Sequence, residues 1–195
     1  MPCRFACSEI LSNFAVMNLN KPLTRFLLKA VALYLGWHLL WYNWIEPDGT
    51  VNHYLTYHTA SVAALVLNAF SDSEFRLSPF EEQNTYLFKD GTAVVLIEHG
   101  CNGLILMVLF AAFIIAFPGP WKKKVWFIPA GVLAIYIINA IRVIGLAVNH
   151  IYSKSSFDFN HKYTFTILIY GAIFYFWMVW VNRYSGINAK KVAAK

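Results

Sequence analysis

Four stretches of the chain, roughly 26–44, 101–118, 124–150 and 162–182, are apolar over lengths that cross ~30 Å of hydrocarbon as helices. A fifth, 54–70 ("YLTYHTASVAALVLNAF"), is shorter and interrupted by His58, Thr59, Ser61 and Asn68. The pattern predicts an all-α integral membrane protein with about four transmembrane helices. Charge decides the role of the fifth stretch. Lys21, Arg25 and Lys29, then Lys122 to Lys124, then Arg183, Lys190, Lys191 and Lys195 sit beside apolar segments, as residues that set orientation do. With all three groups on the cytoplasmic side, 26–44 exits and 101–118 starts outside. Residues 54–70 then begin and end on the outer side, which predicts an interfacial or re-entrant helix. A full span there would turn the basic N-terminal flank outward, against the charge rule.

Between the apolar segments the period changes. Residues 84–98, "NTYLFKDGTAVVLIE", flank Asp90-Gly91, a pair suited to the type I′ turn because both central residues take positive φ. A short extracytoplasmic β-hairpin is expected, leading straight into "HGCNG" at 99–103.

Composition agrees with a membrane assignment. The 195 residues are 58% hydrophobic and 13% charged, against about 25% charged in an ordinary soluble domain, and mean hydropathy is +0.50. The net charge of +6 is spent on the segment flanks, with no basic stripe of interleaved aromatics, which excludes a nucleic-acid surface. The chain divides into an N-terminal tail over 1–20, disordered or upstream of the true start at Met17, a single membrane-embedded domain over 21–185, and a basic cytoplasmic tail over 186–195. Residues 1–20 carry Ser8, Glu9, Ser12 and Asn13 and lack the apolar core of a cleavable signal peptide.

The same topology puts His53, His58, His99, His150 and His161, with Glu98, Cys101 and Asp158, in the outer layer. Of three cysteines, Cys3 and Cys7 belong to the N-terminal tail, so Cys101 has no disulfide partner on its side. A free cysteine is most often a small buried apolar residue. Here, however, it lies between Gly100 and Gly103, which free the backbone, and in the expected first turn of a membrane helix. Helix N-termini and nearby cations are the two ordinary ways of favouring a thiolate.

A cation stands at the right depth. Arg142 lies in "VWFIPAGVLAIYIINAIRVIGLAVNHIY", about 26 Å along that helix from Val125, with Asn139 on the same face. A charge inside an apolar span costs about 2.5–3.5 kcal/mol on insertion scales and marks a functional candidate. A snorkelling arginine would sit at a helix end, whereas "VIGLAVN" continues for two more turns. His161 closes the loop "SKSSFDFNHK" before the last span, His150 closes the preceding one, and His99 stands beside the cysteine. Depth alone gives a Cys/Arg/His cluster and leaves all three histidines open as the base.

"GCNGLILM", then "INAIRVIGLAVNH", then "FNHKYTFTILIYG" together resemble the exosortase/archaeosortase family, most closely its short F-type members, over roughly 25–183. The resemblance implies a cysteine transpeptidase of the bacterial cytoplasmic (inner) membrane, its active site facing the extracytoplasmic side. It implies Cys101 as nucleophile and Arg142 and His161 as the other two catalytic positions; Asn102, Asn139 and His99 are supporting or oxyanion candidates. Implied substrates are exported proteins ending in a recognition motif, a membrane span and a basic tail, held in the surrounding lipid. The acyl group would pass to a surface acceptor, with no metal and no cofactor. Many members carry Ala-Cys-Ser-Gly where this chain has Gly100-Cys101-Asn102-Gly103, and the longer members have further N-terminal spans. Two other readings compete. A non-catalytic assembly factor for a surface or secretion complex would need the aromatic last span equally. A metal-binding membrane protein would use the outer histidines, although Glu98-His99-x-Cys101 is too tight for an ordinary tetrahedral site.

Overall fold

The computed structural model describes residues 22–80 and 84–185. The expected tails over 1–20 and 186–195 lie outside the described residues. Helix α1 (Pro22–Leu40) runs on through a π-helical turn, Trp41–Ile45, and a last turn, Glu46–Asp48. Gly49, at φ +66°, ends it, and α2 (Thr50–Phe70) follows. Strands β1 (Phe75–Leu77), β2 (Thr85–Lys89) and β3 (Thr92–Ile97) form an antiparallel sheet in that order. Then come α3 (Leu104–Ala116), α4 (Trp121–Tyr152) and, after irregular turns, α5 (Phe165–Val179), itself extended by a π-helical turn over Trp180–Tyr184.

Among the described residues, three helical segments are long and apolar enough to cross a membrane: Leu23–Asp48, Trp121–Tyr152 and Lys154–Tyr184. The expected fourth span is shorter than its apolar run implied. Helix α3 has 13 residues, about 20 Å, because Gly103 takes φ +80° and delays the first helical residue to Leu104. The stretch predicted as interfacial or re-entrant is an unbroken helix of 21 residues. Its stripe of Thr56, Thr59, Ala60, Ala63, Ala64 and Leu67 is buried, the spacing of a helix with one packed face.

That face carries the sheet. Phe75, Leu87, Val95 and Ile97 join Ala60, Ala63 and Leu67 of α2 and Val143 and Ala147 of α4 in one core. The hairpin is present where expected, with Asp90 at φ +49° and Gly91 at φ +81°. The third strand was not anticipated. Three residues, "FRL", are too few to show a period, and β1 is held from outside itself: Asn68 of α2 accepts from Phe75 N at 2.7 Å and donates to Phe75 O at 2.9 Å. Asp90 then ties the hairpin turn back to Glu74 N at 2.9 Å.

A second core lies toward the other end of the helices. Phe110 and Ile114 of α3, Ile135 of α4, and Ile169, Ile173 and Trp180 of the last segment are all buried. Lys124, placed by its sequence in a topology-setting basic group, is buried here. Its ammonium donates to Ile115 O at 2.8 Å and Phe117 O at 2.6 Å, capping the carbonyl end of α3.

Helices α3 and α4 approach closely because Gly131 has no side chain. A Cβ there would fall inside contact with the fully buried Phe110 ring. Gly131→Ala is therefore expected to lose about 1–3 kcal/mol through overpacking, measured by detergent unfolding of the purified protein. Phe110→Leu in the same chain should restore part of it.

Candidate active site

Cys101 stands at the junction of sheet and helix. After β3, Glu98 is extended, and His99–Cys101 form one 3₁₀ turn closed by Cys101 N to Glu98 O at 2.8 Å. The cysteine was expected in the first turn of its helix; it lies in the turn before. Of the two flanking glycines, only Gly103 carries the predicted backbone role. Gly100 has open space around it, whereas a Cβ on Gly103 would sit 3.2 Å from Asn139 Cγ as well as at positive φ.

The absent side chain at 103 lets α4 reach the turn. Asn139 donates from Nδ2 to Cys101 O at 2.9 Å. Arg142, three residues on and so on the same helix face, brings Nη2 to 3.9 Å from Cys101 Sγ. His161 places Nε2 at 3.9 Å from the same sulfur. Residues separated by as many as 60 positions thus meet at one half-buried thiol.

Arg142 is otherwise uncommitted. Its Nε is buried without a hydrogen-bond partner, and among the described residues no carboxylate lies within ion-pair distance of it. A half-buried guanidinium with no counter-ion at hand is free to meet an anion. His161 is set by local structure. It lies in a π-helical turn, Asn160–Thr164, after a single α-turn, Phe157–Phe159, and its ring is parallel to Phe157 at 6.0 Å. Wide turns of this kind re-aim a side chain out of ordinary helical register.

The other two histidines take different places. His99 is exposed; its Nδ1 lies 3.3 Å from Thr56 Oγ1, and its ring meets His53 edge-on at 6.0 Å. His150 packs edge-on against Phe157 at 5.3 Å. Neither makes a hydrogen bond to the sulfur, as His161 does.

Asn102 is buried, with every polar atom engaged. Its Oδ1 accepts from Leu104 N at 2.9 Å, starting α3, and its Nδ2 faces Asn52 O at 3.2 Å, Asn52 Oδ1 at 3.1 Å and Thr56 Oγ1 at 3.4 Å. In this arrangement the amide holds the turn in shape and does not aim at the sulfur. Asn52, Thr56 and Phe157 were not among the residues singled out by sequence. The available signal was a pair of polar residues four apart on one face of 50–70; Phe157 gave none. No cluster of three or more metal-type side chains forms among the described residues.

With this geometry in view, comparison by family model is decisive: residues 7–182 match the model described as transmembrane exosortase. The chain belongs to the transmembrane exosortase family. No curated protein and no solved structure matches it. Membership makes it a multi-pass membrane protein of a family that processes exported proteins, and the three motifs that carried the resemblance lie inside the matched region.

Because Asn52 and Asn102 secure the turn from α2, Asn52→Ala and Asn102→Ala should each destabilise the exosortase-family protein by about 1–3 kcal/mol through unpaired buried polar groups. A double-mutant cycle read by thermal unfolding in detergent should show a coupling of at least about 0.5 kcal/mol. Additive losses would disconnect the two residues.

Proposed function

We propose that the protein is a membrane-embedded cysteine transpeptidase of the F-type kind, cleaving C-terminal sorting signals of exported proteins at the outer bilayer boundary. The observation that carries this reading is the convergence of a guanidinium and an imidazole, each at 3.9 Å, on a single free sulfur. In the proposed topology α1, α3, α4 and α5 cross the bilayer of a bacterial inner membrane. Helix α3 reaches across with the help of its flanking turns, and α2 and the sheet lie on the extracytoplasmic side.

The substrate's own span would hold its scissile bond at that boundary. Cys101 Sγ passes its proton to His161 and attacks the backbone carbonyl, giving a tetrahedral intermediate whose negative oxygen faces Arg142. The carbon–nitrogen bond then breaks and His161 passes a proton to the leaving amine, which departs with the span and basic tail. A thioester on Cys101 remains. An amine or hydroxyl of a surface acceptor attacks it, gives its proton to His161, and expels the sulfur, which takes that proton back from His161 as the thiol. Water in place of the acceptor gives hydrolysis. Asn139 contributes by fixing the Cys101 carbonyl, so that sulfur and guanidinium keep one distance through both steps. His99, on the α2 side of the turn, has no part in the transfer.

The direct test is to co-express the protein with a candidate sorted protein and trap the acyl-enzyme with acid, reading intact mass. A thioester on Cys101, lost in Cys101→Ala, is expected. His161→Ala should reduce processing about 10²–10⁴-fold, the range for a lost general acid–base. Arg142→Lys should retain little processing, since a single ammonium lacks the planar fork that would meet both sulfur and oxyanion. Full processing by Cys101→Ala would end the enzymatic reading and leave an assembly factor. Loss of processing in His99→Ala with none in His161→Ala would reverse the assignment of the base.

A further inference from the structure

We infer that the substrate's recognition segment docks as a fourth strand on the free edge of β3, an apolar side chain filling the cavity beside Cys101; this rests on the acyl-transfer reading above. The sheet order is β1-β2-β3, so β3 is bonded on one side only. On its other side no backbone group meets a backbone partner among the described residues. Antiparallel pairing directs alternate N–H and C=O groups to each side of a strand, so the open side presents a row of unpaired donors and acceptors. Proteins usually guard such an edge with lysine, proline or a covering element. The strand "TAVVLI" carries none of these residues.

The edge leads to the nucleophile. A cavity of about 190 Å³ is lined by four consecutive residues, Val95, Leu96, Ile97 and Glu98, and also by Cys101 and His161. Val95 and Ile97 point into the core while Leu96 points out, 41% exposed. Side chains on opposite faces can border one space only where that space runs past the backbone edge between them. A strand laid there runs beside the same cavity that Cys101 lines. Val143 and Leu146 of α4, with Phe157, form the far wall, which suits an aliphatic side chain.

Charge narrows the occupant further. Glu98 ends the edge at the cavity, exposed and without an ion pair among the described residues. Its carboxylate complements a neutral or basic residue of an incoming peptide and repels an acidic one. Backbone pairing would supply affinity and the cavity selectivity, the logic of strand-addition recognition.

The test uses the whole chain in lipid nanodiscs, with peptide mapping by mass spectrometry reporting alkylation of Cys101 apart from Cys3 and Cys7. The probe is acetyl-Ala-Val-Ala-Leu chloromethyl ketone, from which the sulfur displaces chloride to leave a thioether. Two twins carry N-methyl groups on alternate backbone nitrogens, one on the Val and Leu amides and one on the two Ala amides. Strand docking predicts that one twin labels at least about tenfold more slowly than the parent while the other stays within about twofold, the unmade bonds lying on one side only. An aspartate replacing the second alanine should slow labelling relative to lysine there, and Glu98→Gln should abolish that difference. Equal rates for all three peptidyl probes, or equal slowing by both twins, would overturn strand docking. Iodoacetamide, which needs no edge, labels Cys101 in either case. An inert thiol toward iodoacetamide, together with full processing by Cys101→Ala, would instead remove the acyl transfer itself.

Discussion

One hydrogen bond organises the site: the Asn139 amide donating to the Cys101 carbonyl at 2.9 Å. It joins a turn at the start of α3 to the middle of α4, and it fixes position where a side chain alone would wander. The residue three further along α4 is Arg142, and helical spacing puts it over the same point. The spacing Asn-x-x-Arg is thus mechanical. The amide grips the cysteine's backbone, and the guanidinium meets the cysteine's sulfur at 3.9 Å. Gly103 is what admits the grip, since any Cβ there would press on Asn139 at 3.2 Å.

The grip works because the turn is also held from behind. Asn102 closes the other side, spending its oxygen on Leu104 N and its nitrogen on Asn52 and Thr56 of α2. Two asparagines therefore clamp consecutive residues, 101 from α4 and 102 from α2. Helices α2 and α4 themselves share a core with the sheet, through Ala63, Leu87, Val95 and Val143. Packing of that core and placement of the thiol are one problem, which is why a small sheet sits in a largely helical membrane protein.

Much of this was legible in the chain. Long apolar runs marked the membrane helices, and Asp90-Gly91 marked the hairpin because positive φ has few sequence solutions. Arg142 was conspicuous as a charge within hydrocarbon, and rise per residue set it at the cysteine's depth. Which histidine stands beside the sulfur was not legible from depth. It depends on the π-helical turn at Asn160–Thr164, a backbone irregularity without a composition signal. The length of α3 was missed for a similar reason, since "CNGLILM" reads as continuous apolar helix and Gly103 at φ +80° interrupts it. Strand β1 escaped because it is three residues long and its first backbone groups, Phe75 N and O, are held by Asn68, seven residues away on a helix.

The mixed architecture also bears on depth. A sheet with an open edge cannot lie in hydrocarbon, where each unpaired backbone group costs several kcal/mol. Strand β3 ends at Ile97, and α3, an apolar helix, begins at Leu104. The segment between them must therefore bridge wet and dry surroundings within a few residues, and Cys101 is in it. A half-buried Arg142 with no carboxylate in ion-pair distance among the described residues is tolerable at such a border and ruinous deep in the lipid. In the proposed reaction a peptide chain anchored by its own span would emerge into water at this same level. The proposed chemistry on its backbone amide would then have one partner fixed in the bilayer and the other free to arrive from solution.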